Sequence, residues 1–221
     1  SRKGELQAKI DSFKKGEYDI LLGTQMVAKG LNFPSLRLVG VVSADTGLHL
    51  PDFRAAERTF ALITQVAGSA GRFFPDGTVI VQSFAPSRQP IAYAVSGNIE
   101  QFYVEELKQR ELLGFPPYSR LIRLVFRSAT PHAAELAAQS AAHILHSAAD
   151  SYATEHPHSA VHILGPAECP LAVINRSFRW QLLLRGKDMG ALQAVCRTLV
   201  LHYKAPSNVY VETDVDPVGL L

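Results

Sequence analysis

The sequence predicts an α/β chain in two parts: a parallel, helix-covered sheet first, and an α+β arrangement after it. Three observations carry this. Apolar runs at 19–24, 36–43 and 78–84 alternate with helical patterns, the order a parallel sheet requires. The texture breaks between Pro86 and Pro117, through Pro90 and Pro116. Beyond it the elements run β-α-β-β-α-β.

Taken in order, Leu6, Ile10 and Phe13 recur at helical spacing in 5–15, and Gly16 ends that helix. Residues 19–24 (DILLGT) read as a buried strand with a turn, and 36–43 (LRLVGVVS) as a second strand covered on both faces. Asp52 is placed to cap a helix over 53–71, and 78–84 (TVIVQSF) is the third strand. A polar helix at 98–113 leads into Gly114-Phe115-Pro116-Pro117-Tyr118, a rigid extended connector because each proline fixes its own φ and restricts its predecessor. The expected domains are therefore 1–97, a linker at 98–117, and 118–221. The last holds a strand at 120–127 and an Ala-rich helix at 131–150 with Pro131 in its first turn. Next come strands at 160–164 and 171–175, or one long irregular strand, and a strand at 178–185. A helix at 187–204 and a strand at 209–215 complete the ferredoxin-like order.

Composition sets limits. With 221 residues, 47% hydrophobic and 19% charged, the chain can fill a core, which excludes wholesale disorder. Lys+Arg 22 against Asp+Glu 20 gives a net charge of +2, which excludes a globally basic coat protein but not a local basic patch. No apolar run approaches the ~20 residues of a membrane helix. Cys169 and Cys196 cannot by themselves form a four-ligand zinc site, and so few cysteines suit a reducing compartment. The start at Ser1-Arg2-Lys3, without Met or an apolar leader, leads us to expect a piece of a longer protein.

Three stretches can carry chemistry. Residues 23–34 (GTQMVAKGLNFP) follow a strand, where α/β sheets place ligands. Thr24 can donate to a phosphate oxygen, Lys29 can neutralise one, and Gly30 permits close backbone approach; the alternative is an ordinary strand-to-helix loop. No GxxxxGK[ST] loop occurs anywhere. Residues 65–72 (QVAGSAGR) place two glycines at a helix end, each costing about 1 kcal/mol relative to Ala. They suit a backbone turned toward a ligand with Arg72 making bidentate phosphate contact, or a simple Gly cap with a solvated Arg72. The third stretch, 171–187, carries Arg176, Arg179, Arg185 and Lys187 with Phe178 and Trp180 between them, and no acid. Strand alternation sets Arg179, Gln181, Leu183 and Arg185 on one face, beside Leu121, Arg123, Val125 and Arg127 of strand 120–127. With both helices on the other side, this would be an open basic face suited to single strands or acidic peptides, or a docking face rimmed by arginines.

Weaker signals are read as structural. His156, His158 and His162 sit in a solvated loop, His143 and His146 lie on a helix surface, and Asp214 and Asp216 are surface acids. Cys196 is a core residue, and Glu57 and Arg58 form ion pairs.

Strand-GTQMVAKGLNFP, then SADTGL, PDFRAAERTFALITQVAGSAGR and GFPPY, in this order and over essentially the whole chain, resemble the primosomal protein N′ family of bacterial replication-restart DNA helicases, in superfamily 2. The resemblance implies part of a RecA-like second helicase lobe followed by a C-terminal DNA- and protein-binding domain with a fold like that of a small-subunit ribosomal protein. Thr24 and Lys29 then fall in motif V, which touches DNA, and Gly30 and Asn32 at its ATP-facing end. Gln65 and Arg72 fall in motif VI, with Arg72 at the arginine-finger position. Arg179, Trp180 and Gln181 match a basic-aromatic segment that helps bind the acidic tail of single-stranded-DNA-binding protein, and Arg176 is carried over on a looser alignment. Arg123, Arg127 and Arg185 are assigned to DNA.

The cofactors implied are ATP and Mg, bound mainly by an upstream lobe that also holds the Walker motifs, and zinc bound elsewhere in the parent. This chain alone is therefore expected to be inactive. Partners implied are forked and single-stranded DNA, single-stranded-DNA-binding protein and other primosome proteins, with no membrane, in a bacterial, nucleoid-associated cytoplasmic setting. Two functions follow. One is part of an ATP-dependent 3′→5′ helicase that recognises stalled or repaired forks and restarts replication by primosome assembly. The other is a non-motor module that binds DNA and single-stranded-DNA-binding protein, with weakened or absent ATPase, because Ser69 stands where motif VI normally has its first arginine.

Overall fold

A computed structural model of the chain describes residues 2–24, 33, 36–70 and 77–220. The chain divides into two compact units: Ser1–Leu50 with Arg54–Glu106, and Pro51–Phe53 with Leu107–Leu221.

In the first unit, helix α1 (Arg2–Lys14) closes at Gly16, whose φ of 77° only glycine adopts freely. Strands β1 (Leu38–Val41) and β2 (Thr78–Val81) pair in parallel, Leu38 opposite Thr78. Between them, helix α2 (Ala55–Ala70) follows a short 3-10 segment, Ala44–His49. Helix α3 (Gln89–Ser96), absent from the sequence expectations, starts with Pro90 in its first turn: the proline that marked a break instead opens a helix. Helix α4 (Ile99–Leu113) follows; Asn98 Oδ1 caps it by accepting from Gln101 N–H at 3.2 Å. The core joins Ala44, Phe60, Ile63, Ile91, Ala94 and Phe102, with the Phe60 and Phe102 rings stacked 4.0 Å apart.

Two expectations fail in this unit. Residues 19–24 are not a strand, and Ile20 and Leu22 are 85% and 89% exposed. A strand needs a neighbour for its backbone hydrogen bonds, and among the described residues none runs beside this segment. Nor is β1 covered on both faces, because Leu38 is exposed.

The second unit has the predicted order: β3 (Arg120–Ser128), α5 (Pro131–Glu155), β4 (His162–Ile174), β5 (Ser177–Gly186), α6 (Met189–His202) and β6 (Tyr210–Val215). Its antiparallel sheet runs β4-β5-β3-β6, the ferredoxin-like arrangement. Both helices cover the face that carries Ile122, Leu124, Phe126, Leu182 and Leu184. Ala134, Ala137, Ala138, Ala141 and Ala142 let α5 approach the sheet closely, and Asp188 caps α6 by accepting from Gly190 N–H at 2.9 Å. The 160–175 region is one irregular strand with register shifts after Leu164 and after Glu168. Gly165 makes the first shift possible, since its φ is 102° and a Cβ there would sit 2.8 Å from the Gln181 carbonyl oxygen. No described helix is long and apolar enough to cross a membrane.

Candidate functional site

In the first unit the carboxyl ends of β1 and β2 are joined through one side chain. After β1 the backbone turns at Ser43, φ 55°, and buries Asp45. The Asp45 carboxylate accepts from Ser83 Oγ at 2.9 Å and from Phe84 N–H at 2.8 Å, just past β2. The Phe84 N–H, more than burial opposes it, holds the Asp45 carboxyl below the usual aspartate range. The neighbouring Gly47 lies against Thr59 Oγ1, where an added Cβ would stand 2.6 Å away, so this turn seats directly on α2. Sequence reasoning missed Asp45; the available signal was an acid directly after an apolar strand.

Helix α2 presents Gln65 at the surface, and Ser69 lies in its last turn. Thr24 is exposed. Lys29, Gly30, Asn32 and Arg72 lie outside the described residues. Arg54, just before α2, forms an ion pair with Glu57 in its first turn, where the expectation had named Glu57 and Arg58.

The C-terminal sheet has the predicted facing. Opposite the helices, Arg127 pairs with Arg179, Val125 with Gln181, Arg123 with Leu183 and Leu121 with Arg185. The expectation of an open basic face is nevertheless overturned at its centre. Arg123 is 4% exposed and Gln181 8%, and Arg123 Nε donates to Gln181 Oε1 at 2.8 Å. Leu121, Val125 and Leu183 are buried with them, as is Cys169 of β4. Burial pushes the Cys169 thiol pKa up, against the pull of the Arg123 and Arg179 charges. The sequence pattern gave the face of each residue but not the register shifts that bring β4's Cys169 beside Arg123.

The outer arginines are also engaged. Arg127 ion-pairs with Glu212 at 2.5 Å and lies over the Tyr210 ring, 5.0 Å from its centroid. Arg185 Nη1 donates to Leu113 O at 2.5 Å and stands 5.9 Å over the Phe115 ring. Arg179 Nη1 donates to Leu171 O at 3.2 Å. Trp180 lies on the opposite face and packs against the helix-covered core, so Arg179, Trp180 and Gln181 do not form one surface. Arg176 is exposed in the two-residue turn between β4 and β5, with Asn175 and Arg176 at φ 50° and 63°.

Of the residues read as structural, Cys196 lies in the core, His143 and His146 are exposed on α5, and His156 stacks on Tyr152. Asp216 pairs with Arg120, which holds its carboxyl low. Among the described residues, no three His, Cys, Asp or Glu side chains converge to hold a metal ion.

Comparison with known proteins accounts for both units. Residues 2–74, which hold β1 and α2, match the helicase conserved C-terminal domain, the domain of a RecA-like helicase lobe. Residues 111–218 match the primosomal protein N C-terminal domain. The fold and site thus define a helicase-type lobe joined to a primosomal domain. The replication restart protein PriA of Treponema pallidum is 50% identical over 220 residues, covering 100% of this chain and 32% of the relative. That of Bacillus subtilis is 39% identical over 226 residues, covering 100% and 27%. That of Borreliella burgdorferi is 35% identical over 212 residues, covering 96% and 31%. The chain belongs to the replication restart protein PriA family. It spans about a third or less of the length of these relatives.

Proposed function

We propose that the chain is part of an ATP-dependent 3′→5′ DNA helicase that acts at stalled or repaired replication forks and restarts replication by primosome assembly. The observation that carries this is a helicase C-terminal domain followed, in one chain, by a primosomal protein N C-terminal domain. ATP with Mg supplies the phosphoryl transfer that drives such a motor. Within this chain, the exposed Gln65 on α2 offers an amide suited to a phosphate oxygen, and Arg72 is assigned to stabilising charge on the transferred group. Gly30 and Asn32 are assigned to the nucleotide side of the preceding loop, and Thr24 and Lys29 to the DNA backbone. The chain by itself, without a phosphate loop in its sequence, is expected to be inactive. Zinc is proposed for the remainder of the full-length protein.

In the C-terminal unit, the buried Arg123 is withdrawn as a DNA contact, and Arg127 and Arg185 are available to DNA only by exchanging their present partners. Contact with the acidic tail of single-stranded-DNA-binding protein is proposed for Arg176 at the hairpin turn and Arg179 beside it. Gln181 and Trp180 support that hairpin from within the sheet. We place the protein in the bacterial cytoplasm, at the nucleoid.

The test is Arg72→Ala in the full-length protein. DNA-stimulated ATP hydrolysis and unwinding should fall by about 10³-fold or more, the scale of an arginine finger, while binding to forked DNA stays within about threefold. Retained unwinding refutes the assignment.

A further inference from the structure

Residues Pro51–Phe53 cluster with the C-terminal unit, although Leu50 before them and Arg54 after them belong to the first. Two anchors hold this segment. Asp52 is 9% exposed, and its Oδ2 accepts from Leu220 N–H at 3.0 Å, next to the chain's end. The Phe53 ring stacks on Phe115 of the GFPP connector, centroids 5.4 Å apart and planes within 7°. The stack continues at both ends. Arg110 lies 5.4 Å from the Phe53 centroid, and Arg185 lies 5.9 Å from that of Phe115. The result is a ladder of cation, ring, ring and cation, a favourable order because each guanidinium faces the negative face of a ring.

Hydrogen bonds fix the rungs. Arg110 Nη1 donates to Pro116 O at 3.3 Å and Arg185 Nη1 to Leu113 O at 2.5 Å. Gly114, at φ 65°, ends α4 with Phe115 N–H donating to Arg110 O at 2.8 Å, which sets the Phe115 ring in place. Helix α2 begins at Ala55, two residues after Phe53. Gln65 lies in the same helix, ten residues past its start.

We propose that Phe53, seated in this ladder, is a positioning residue that fixes the start of α2, the helix that follows it in the chain. This rests on the assignment of α2 as the helix that leads to Arg72. The partner felt through it is whatever engages Arg185: a phosphate that drew Arg185 away from Leu113 O and the Phe115 ring would loosen Phe53.

The test uses the full-length protein with Phe53→Leu, Phe115→Leu, the double substitution and Phe53→Tyr. Leucine keeps apolar volume and removes the stack; tyrosine restores it. Amide exchange in the first turns of α2 should quicken by about three- to tenfold in Phe115→Leu, far away in sequence, as in Phe53→Leu. The double variant should add little to either, and Phe53→Tyr should resemble the parent. DNA-stimulated kcat for ATP should fall by about threefold or more in both leucine variants, with the DNA-free rate and the KM for ATP within twofold. Unchanged α2 exchange in Phe115→Leu, or quickened exchange with unchanged DNA-stimulated kcat, overturns the inference while Arg72→Ala still abolishes hydrolysis. If Arg72→Ala leaves hydrolysis intact, the functional assignment fails first and the positioning role falls with it.

Discussion

Asp45 is a single side chain that ties the ends of two parallel strands, and its chemistry makes that tie depend on pH. Its carboxylate accepts from Phe84 N–H and Ser83 Oγ, and its pKa is lowered in the folded chain. A lowered folded value means that the ionised form is favoured by folding. The stabilisation is therefore fully present above the ordinary aspartate value of about 4, and is lost as pH falls through the lower folded value. Chemical denaturation midpoints of the first unit should drop as pH falls below about 4, and Asp45→Asn should flatten that limb while lowering the midpoint at pH 7. An identical acid limb in the variant contradicts this. Arg123 gives the complementary lesson. Its place on the sheet was legible from alternation alone, but its burial was not, because burial depends on Cys169 arriving from a strand whose register shifts twice.

At the level of elements, the sequence was most informative where one residue type settles a backbone. Gly16, Pro131 and the two apolar faces of β3 and β5 mark features seen in the structure. It was least informative where a partner strand decides: the run 19–24 has strand chemistry and no neighbour. Helix α3 escaped notice because Pro90 reads as a breaker until it stands in a first turn. The β4–β5 turn lies between these cases. Both its central residues have positive φ, which Asn175 tolerates and Arg176 does not. Arg176→Gly should therefore stabilise the C-terminal unit by about 1 kcal/mol, seen as a raised denaturation midpoint. The same change should weaken binding of an acidic tail peptide if Arg176 contacts it. A lower midpoint would mean that the arginine side chain supplies more than its backbone strain costs.

Across the whole molecule, a net charge of +2 hides how the cations are distributed. The order of lobe, connector and ferredoxin-like unit was legible because periodicity and prolines mark it. The internal neutralisation of the basic sheet was not, because Glu212 and Asp216 lie about ninety residues from the arginines they meet. With Arg123 buried, Arg127 on Glu212, Arg120 on Asp216 and Arg185 on Leu113 O, the cations at the β4–β5 hairpin and just after it are Arg176, Arg179, which is half-buried on Leu171 O, and Lys187. Counterion release then sets a limit. About three phosphate contacts at ~0.7 per contact on single strands give this face a share of about 2 in the log–log salt slope. Titrating the chain and its triple variant Arg176→Gln, Arg179→Gln, Lys187→Gln with labelled single-stranded DNA from low to moderate salt should show a slope shallower by about 2 in the variant. An unchanged slope would mean that this face does not hold DNA. Glu212→Gln, which releases Arg127 from its internal partner in advance, should raise affinity.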